Sequence, residues 1–92
     1  MKPYELIFTE NYTKKAKRFI LKHPQIRLQY QKTLELLTLN PKHNSLRLHP
    51  LSGKLKGLHS VSINMQYRIT LEIIIRKHEI ILIDIGDHGL YR

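Results

Sequence analysis

Arg68, His88, His49 and Tyr91 are the side chains whose types and placement point to chemistry on a phosphate ester. A histidine with a pKa near neutrality takes a proton from a ribose 2′-OH or gives one to a 5′-oxygen leaving group. His88 sits in the closing run Gly86-Asp87-His88-Gly89-Leu90-Tyr91-Arg92, directly after an apolar β-rich stretch that would support it rigidly. An arginine on a sheet face can hold a phosphate with two parallel N–H donors and stabilise the charge that builds up at a pentacovalent phosphorus. Arg68 alternates out of phase with the apolar residues of its strand, so it should face away from the core; the competing reading is a surface arginine beside a cross-strand glutamate. His49, just before Pro50, would lie on the same side as a second imidazole.

Two further features fit a polyanionic partner. Lys54 and Lys56, in Gly53-Lys54-Leu55-Lys56-Gly57, stand two apart and would point the same way in an extended segment, as suits successive phosphates; the alternative is a solvated loop tip. Tyr91 beside Arg92 offers a ring that can stack on an unpaired base, or else plugs the edge of the core. The chain has 16 Lys+Arg against 7 Asp+Glu in 92 residues, a formal net charge of +9. Such a surplus attracts phosphate backbones or an acidic protein. The acidic residues are scattered, which argues against paired-carboxylate and two-metal chemistry. Asp84, Asp87 and His88 match no standard metal spacing, so no metal and no cofactor is expected. With no Cys, disulfides and thiolate ligands are excluded. Of the other histidines, His23, His43 and His78 fall in expected turns as solvated groups, and His59 stays ambiguous.

These side chains need elements to hold them. The length suits one domain, residues 1–92, and a hydrophobic fraction of 41% suits a packed core. Tyr4 to Phe8 is expected as a strand. Thr9 can cap a helix from Glu10 whose buried stripe is Tyr12, Ala16, Phe19 and Ile20. Pro24 ends it and suits the first turn of a second helix with the stripe Ile26, Tyr30, Leu34 and Leu37, closing before Asn40-Pro41. Then the period changes to two. Leu46-Arg47-Leu48-His49 alternates, Leu58 to Ile63 is a strand candidate, Asn64-Met65-Gln66 a tight turn, Tyr67 to Ile75 the clearest strand, Arg76-Lys77-His78 the next turn, and Glu79 to Ile85 a strand apolar on both faces. Short turns imply antiparallel pairing. The expectation is an α+β domain: an N-terminal strand and a two-helix hairpin on one face of a curved antiparallel sheet of four to five strands. No apolar run is long enough to span a bilayer and the N-terminus lacks a signal core, so a cytoplasmic location is expected.

In this order the residues resemble the RelE/ParE toxin superfamily of toxin–antitoxin modules, and within it the RelE, YoeB and YafQ branch of mRNA endonucleases. The likeness runs over nearly the whole chain. It rests on His49-Pro50-Leu51-Ser52-Gly53-Lys54-Leu55-Lys56-Gly57, on Tyr67-Arg68-Ile69, and on Ile83-Asp84-Ile85-Gly86-Asp87-His88 followed by Tyr91-Arg92. The resemblance implies a toxin that cleaves mRNA in the A site of the 70S ribosome, without metal, by 2′-OH attack, and that is held inactive by a cognate antitoxin. By position, Arg68 matches the phosphate-stabilising arginine, His88 the C-terminal acid or base, His49 a histidine of the YafQ type, Lys54 and Lys56 the basic loop, and Tyr91 the terminal aromatic. Ser62 and Gln66 stand where the YafQ type has a histidine and an aspartate, and no glutamate occurs at 47–49, where the YoeB type has its base. The ParE branch shares the fold and acts on DNA gyrase. It is the alternative; the joint presence of His88, Arg68 and Tyr91 favours the ribonuclease.

Overall fold

The structure is a computed structural model and describes residues 2–87. Strand β1 (Glu5–Phe8) leads directly into α1 (Glu10–Lys22), where the Thr9 hydroxyl accepts from the Tyr12 N–H at 3.2 Å. This cap satisfies one of the donors that the first turn leaves without a partner. The amphipathic stripe then sets the packing: Tyr12 and Ala16 are buried and Phe19 and Ile20 lie against the core. Pro24 opens a 3-10 turn (Pro24–Ile26) that reverses the chain into α2 (Arg27–Leu39). The Tyr12 and Tyr30 hydroxyls, 2.8 Å apart, tie the two helices together.

Three more strands, β3 (His59–Ser62), β4 (Tyr67–Ile74) and β5 (Glu79–Asp87), follow a two-residue β2 (His49–Pro50). The sheet order is β1-β5-β4-β3-β2. The pairs β2–β3, β3–β4 and β4–β5 are antiparallel, as their short connections require. The edge pair β1–β5 is parallel, with Leu6 opposite Ile80 and Phe8 opposite Leu82. A parallel neighbour needs a long crossover, and here everything between β1 and β5 supplies it, so the otherwise antiparallel sheet is mixed.

Two local features depart from the expected strands. The Leu46–His49 alternation is not a strand: Asn44–Leu46 is a 3-10 turn and Arg47 adopts the left-handed conformation at φ 50°, leaving pairing to His49 and Pro50 alone. Leu46 is buried and Leu48 half-buried, so the apolar spacing reflects two side chains reaching the core from a turning backbone. In β5 a bulge places Thr70 opposite Asp84 and Leu71 opposite Leu82, with Ile83 the extra residue. The bulge shifts the phase so that Ile80, Leu82 and Ile85 all reach the buried side. That side packs with Val61, Ile69, Leu71 and Leu37 into one core.

Candidate functional site

Register decides which side chains meet. Residues opposite each other across a strand pair share a face, and so do residues two apart along a strand. Tyr67, Ile69 and Leu71 face the helices, where the Tyr67 ring meets Phe19 edge-on at 5.0 Å. Arg68 therefore faces outward. Ser62 is opposite it on β3 and Gly86 on β5. Ser60 pairs with Thr70, and His49 pairs with Ser60. The outer face thus carries His49, Ser60, Ser62, Arg68 and Thr70 together, as the alternation of Arg68 predicts. Two inter-strand spacings and one two-residue step put the His49 and Arg68 Cα atoms ~12 Å apart, within the combined reach of the two side chains.

Arg68 is half-buried, and its Nη1 donates to the Ser62 hydroxyl at 3.1 Å. The guanidinium is thereby anchored on a strand rather than swinging from a loop. His49 is exposed, and its Nδ1 lies 3.0 Å from the Arg47 carbonyl oxygen. A carbonyl can only accept, so Nδ1 carries the proton and Nε2 of the neutral ring keeps its lone pair. This tautomer offers a proton acceptor to the outer face. No acidic residue is needed to orient the ring; the backbone does it.

The basic loop is folded differently from the extended segment expected. Gly53–Leu55 forms a 3-10 turn with Lys56 at its end, so Lys54 and Lys56, two residues apart at about three residues per turn, point roughly 120° apart rather than the same way. Both remain exposed, on the connection between β2 and β3 that the Leu51 N–H closes onto Leu58 O at 2.9 Å. Gly53 and Gly57 have φ of +64° and +96°, values that a side chain would strain. The loop presents two separate cations rather than a clamp.

His88, Tyr91 and Arg92 lie outside the described residues. Asp84 is held by Lys15 of α1 in an ion pair and by its neighbour's N–H, Ile85, at 2.9 Å. Among the described residues no group of three or more His, Asp or Glu is placed to hold a metal. His23, expected in solvent, sits half-buried between the rings of Phe19 and Tyr67 with Nδ1 3.1 Å from the Tyr67 hydroxyl. His78 is in its expected turn but stacks on Tyr4 at 4.5 Å. His43 is exposed, and His59 is half-buried in β3.

Ser62 and Arg47 were not picked out as site residues by sequence reasoning. Ser62 could have been found: a tight turn at Asn64-Met65-Gln66 places it opposite Arg68. The role of Arg47 had no such signal, because it acts through its carbonyl and through a left-handed backbone that composition does not announce.

No family model matches the chain, and no curated protein matches it. Solved structures do. YafQ in the E. coli DinJ-YafQ toxin–antitoxin complex is similar with a TM-score of 0.77 at 17% identity, over 98% of this chain and 99% of that one. A YoeB/ParE toxin from Agrobacterium tumefaciens matches with a TM-score of 0.73 at 14% identity, over 91% and 98%. The toxin–antitoxin complex RelBE2 from Mycobacterium tuberculosis matches at 0.68 and 20% identity, over 97% and 95%. Among the described residues no helix is long and apolar enough to cross a membrane. The N-terminal strand, the two-helix hairpin and the five-stranded sheet with Arg68 on its outer face give this chain the fold of the RelE/YafQ-type toxins.

Proposed function

We propose that this chain is the toxin of a toxin–antitoxin pair and acts as an endoribonuclease on mRNA in the ribosomal A site. The observation that carries the reading is the outer sheet face, where the anchored guanidinium of Arg68 and the Nε2 lone pair of His49 lie on one surface of a +9 chain. Support comes also from the fold, shared with toxins whose structures hold an antitoxin.

In this reading an imidazole takes the proton from a ribose 2′-OH, and the 2′-oxygen attacks the adjacent phosphorus. Arg68 stabilises the charge on the non-bridging oxygens. The bond to the 5′-oxygen breaks, and a second acid returns a proton to it. Atom balance requires a 2′,3′-cyclic phosphate on one fragment and a 5′-hydroxyl on the other. His49 and His88 are the imidazoles proposed for the two proton transfers, and His88 stands two positions beyond Gly86, the cross-strand partner of Arg68. Lys54, Lys56 and Arg92 would hold the RNA backbone and Tyr91 would stack on a base. The ribosome would supply alignment, so few protein groups need do the rest. The proposed protein partner is a cognate antitoxin, with the 70S ribosome and its mRNA as target; a cytoplasmic site of action goes with it.

The test is to add the protein to translating ribosomes, map cuts by primer extension and identify the new ends. Cuts at the A-site codon with cyclic-phosphate and 5′-hydroxyl ends support the reading. The likeness to a YoeB/ParE toxin makes gyrase inhibition the second reading. Lost DNA supercoiling with intact mRNA would replace the ribonuclease by the gyrase poison.

A further inference from the structure

The 3-10 turn Asn44–Leu46 and the β3–β4 turn face each other across a cleft of about 250 Å³, with Arg47, Ser45 and Ser62 on its walls and Met65 and Asn64 at its rim. Arg47 also lines a second cleft, of about 360 Å³, together with Lys42 and His43. Among the described residues no carboxylate lines either cleft, so the walls they form are positively charged.

Arg47 is held in an unusual way. Its backbone is left-handed, its N–H donates to Asn44 O at 3.2 Å, and its carbonyl accepts from His49 Nδ1 at 3.0 Å. Both ends of the residue are pinned, so an exposed guanidinium projects from a fixed base. Ser62 joins this cleft to the candidate site, since the same side chain that lines it accepts from Arg68 Nη1. The opposite rim is also set in advance: Asn64 Oδ1 accepts from the N–H groups of Gln66 and Tyr67 at 2.9 and 2.8 Å. At its tip Met65 is 82% exposed, an unbranched, polarizable side chain of the kind that makes favourable contacts with an aromatic ring.

We propose that this cleft is a second nucleotide subsite for single-stranded RNA, in which Arg47 holds the phosphate next to the one at Arg68 and Met65 packs against the adjoining base. The inference rests on the ribonuclease reading and names a site beyond its reacting groups. An acidic peptide would also answer to Arg47, but continuity through Ser62 to Arg68 and an apolar rim suited to a base favour RNA.

The experiment measures binding of a short, labelled, 2′-O-methylated oligoribonucleotide, which cannot be cut, to the full chain over a series of KCl concentrations. Arg47→Gln is expected to weaken binding several-fold at low salt and to make the log–log salt slope shallower by about 0.7, one single-strand phosphate contact. Arg47→Lys should keep the slope, and Met65→Ala should lower affinity without changing it. Arg47→Gly, which relieves the left-handed backbone, must reproduce the Arg47→Gln loss, so a folding defect cannot mimic the result. If Arg47→Gln keeps parental affinity and slope while Arg68→Gln loses both, the subsite is overturned and the RNA reading stands. If the parent chain binds no free RNA, the subsite falls, and the ribonuclease reading stands or falls by the ribosome assay alone. If Arg47→Gln loses only affinity for a poly-glutamate peptide, the cleft belongs to an acidic protein instead.

Discussion

In the proposed reaction Arg68 carries the charge-stabilising role, and its environment says what replacing it should do. Loss of a preorganised donor to a developing oxyanion typically costs 10²–10³ in rate. Arg68→Lys should lose nearly as much as Arg68→Gln in a ribosome cleavage assay, because an ammonium cannot make the two parallel contacts of a guanidinium. Ser62→Ala frees the guanidinium from its 3.1 Å hydroxyl partner and should lower kcat about tenfold with KM nearly unchanged, the signature of poorer positioning. Arg47 shows the opposite balance of stability and binding. Its left-handed backbone is strained, so Arg47→Gly should raise unfolding stability by about 1 kcal/mol in urea titrations. Arg68 was legible in the sequence because alternation alone places it off the buried stripe. The tautomer of His49 was not, since it depends on a carbonyl two residues away whose direction is set by the Arg47 backbone.

Secondary-structure elements were legible where one force dominates. Helix α1 begins after its Thr9 cap, both helices bury the stripes that their spacing defines, and Pro24 separates them. Thr9→Ala should lower stability by about 1 kcal/mol through loss of the cap. The Leu46–His49 segment was misleading because a 3-10 turn followed by a left-handed residue can send two leucines inward at a spacing that mimics a strand. The Lys54–Lys56 loop failed similarly: glycine punctuation marks a turn but does not specify its helical twist. The helix hairpin also carries a pH dependence. Burial pushes the Tyr12 phenol well up, with the adjacent Tyr30 and their hydrogen bond acting in the same direction. Its folded value is raised above the unfolded value of 10.0, so its stabilisation is full below that pH. Above it the unfolded phenol ionises first, and stability should fall by up to about 1.4 kcal/mol per pH unit. Urea midpoints followed from about pH 9 to about pH 11 should show this fall, and Tyr12→Phe should reduce it while leaving the share of Tyr30, whose phenol burial also raises.

The whole molecule is closed by a contact that no local pattern announces. Strand β1 pairs in parallel with β5, the strand most distant from it in the chain, while the turns between β2, β3, β4 and β5 declare only antiparallel neighbours. The resemblance, which runs over nearly the whole chain, implied an antiparallel sheet, so neither it nor periodicity placed this parallel edge. The packing of Leu6 and Ile80 into the shared core joins the first strand to the element that ends beside Arg68. Leu6→Ala should therefore lower both stability, by roughly 2–3 kcal/mol, and the temperature at which cleavage fails. The net charge of +9 acts at the same scale: in the proposed function it would draw the chain toward RNA over a distance that salt shortens. What the account needs most is that the outer sheet face around Arg68 does the cutting. The direct measurement is the single-turnover cleavage rate of mRNA on programmed ribosomes by the parent and by Arg68→Ala, each shown to be folded by its urea midpoint. The account predicts A-site cleavage by the parent and a rate at least about 100-fold lower for the variant; equal rates for the two folded proteins would contradict it.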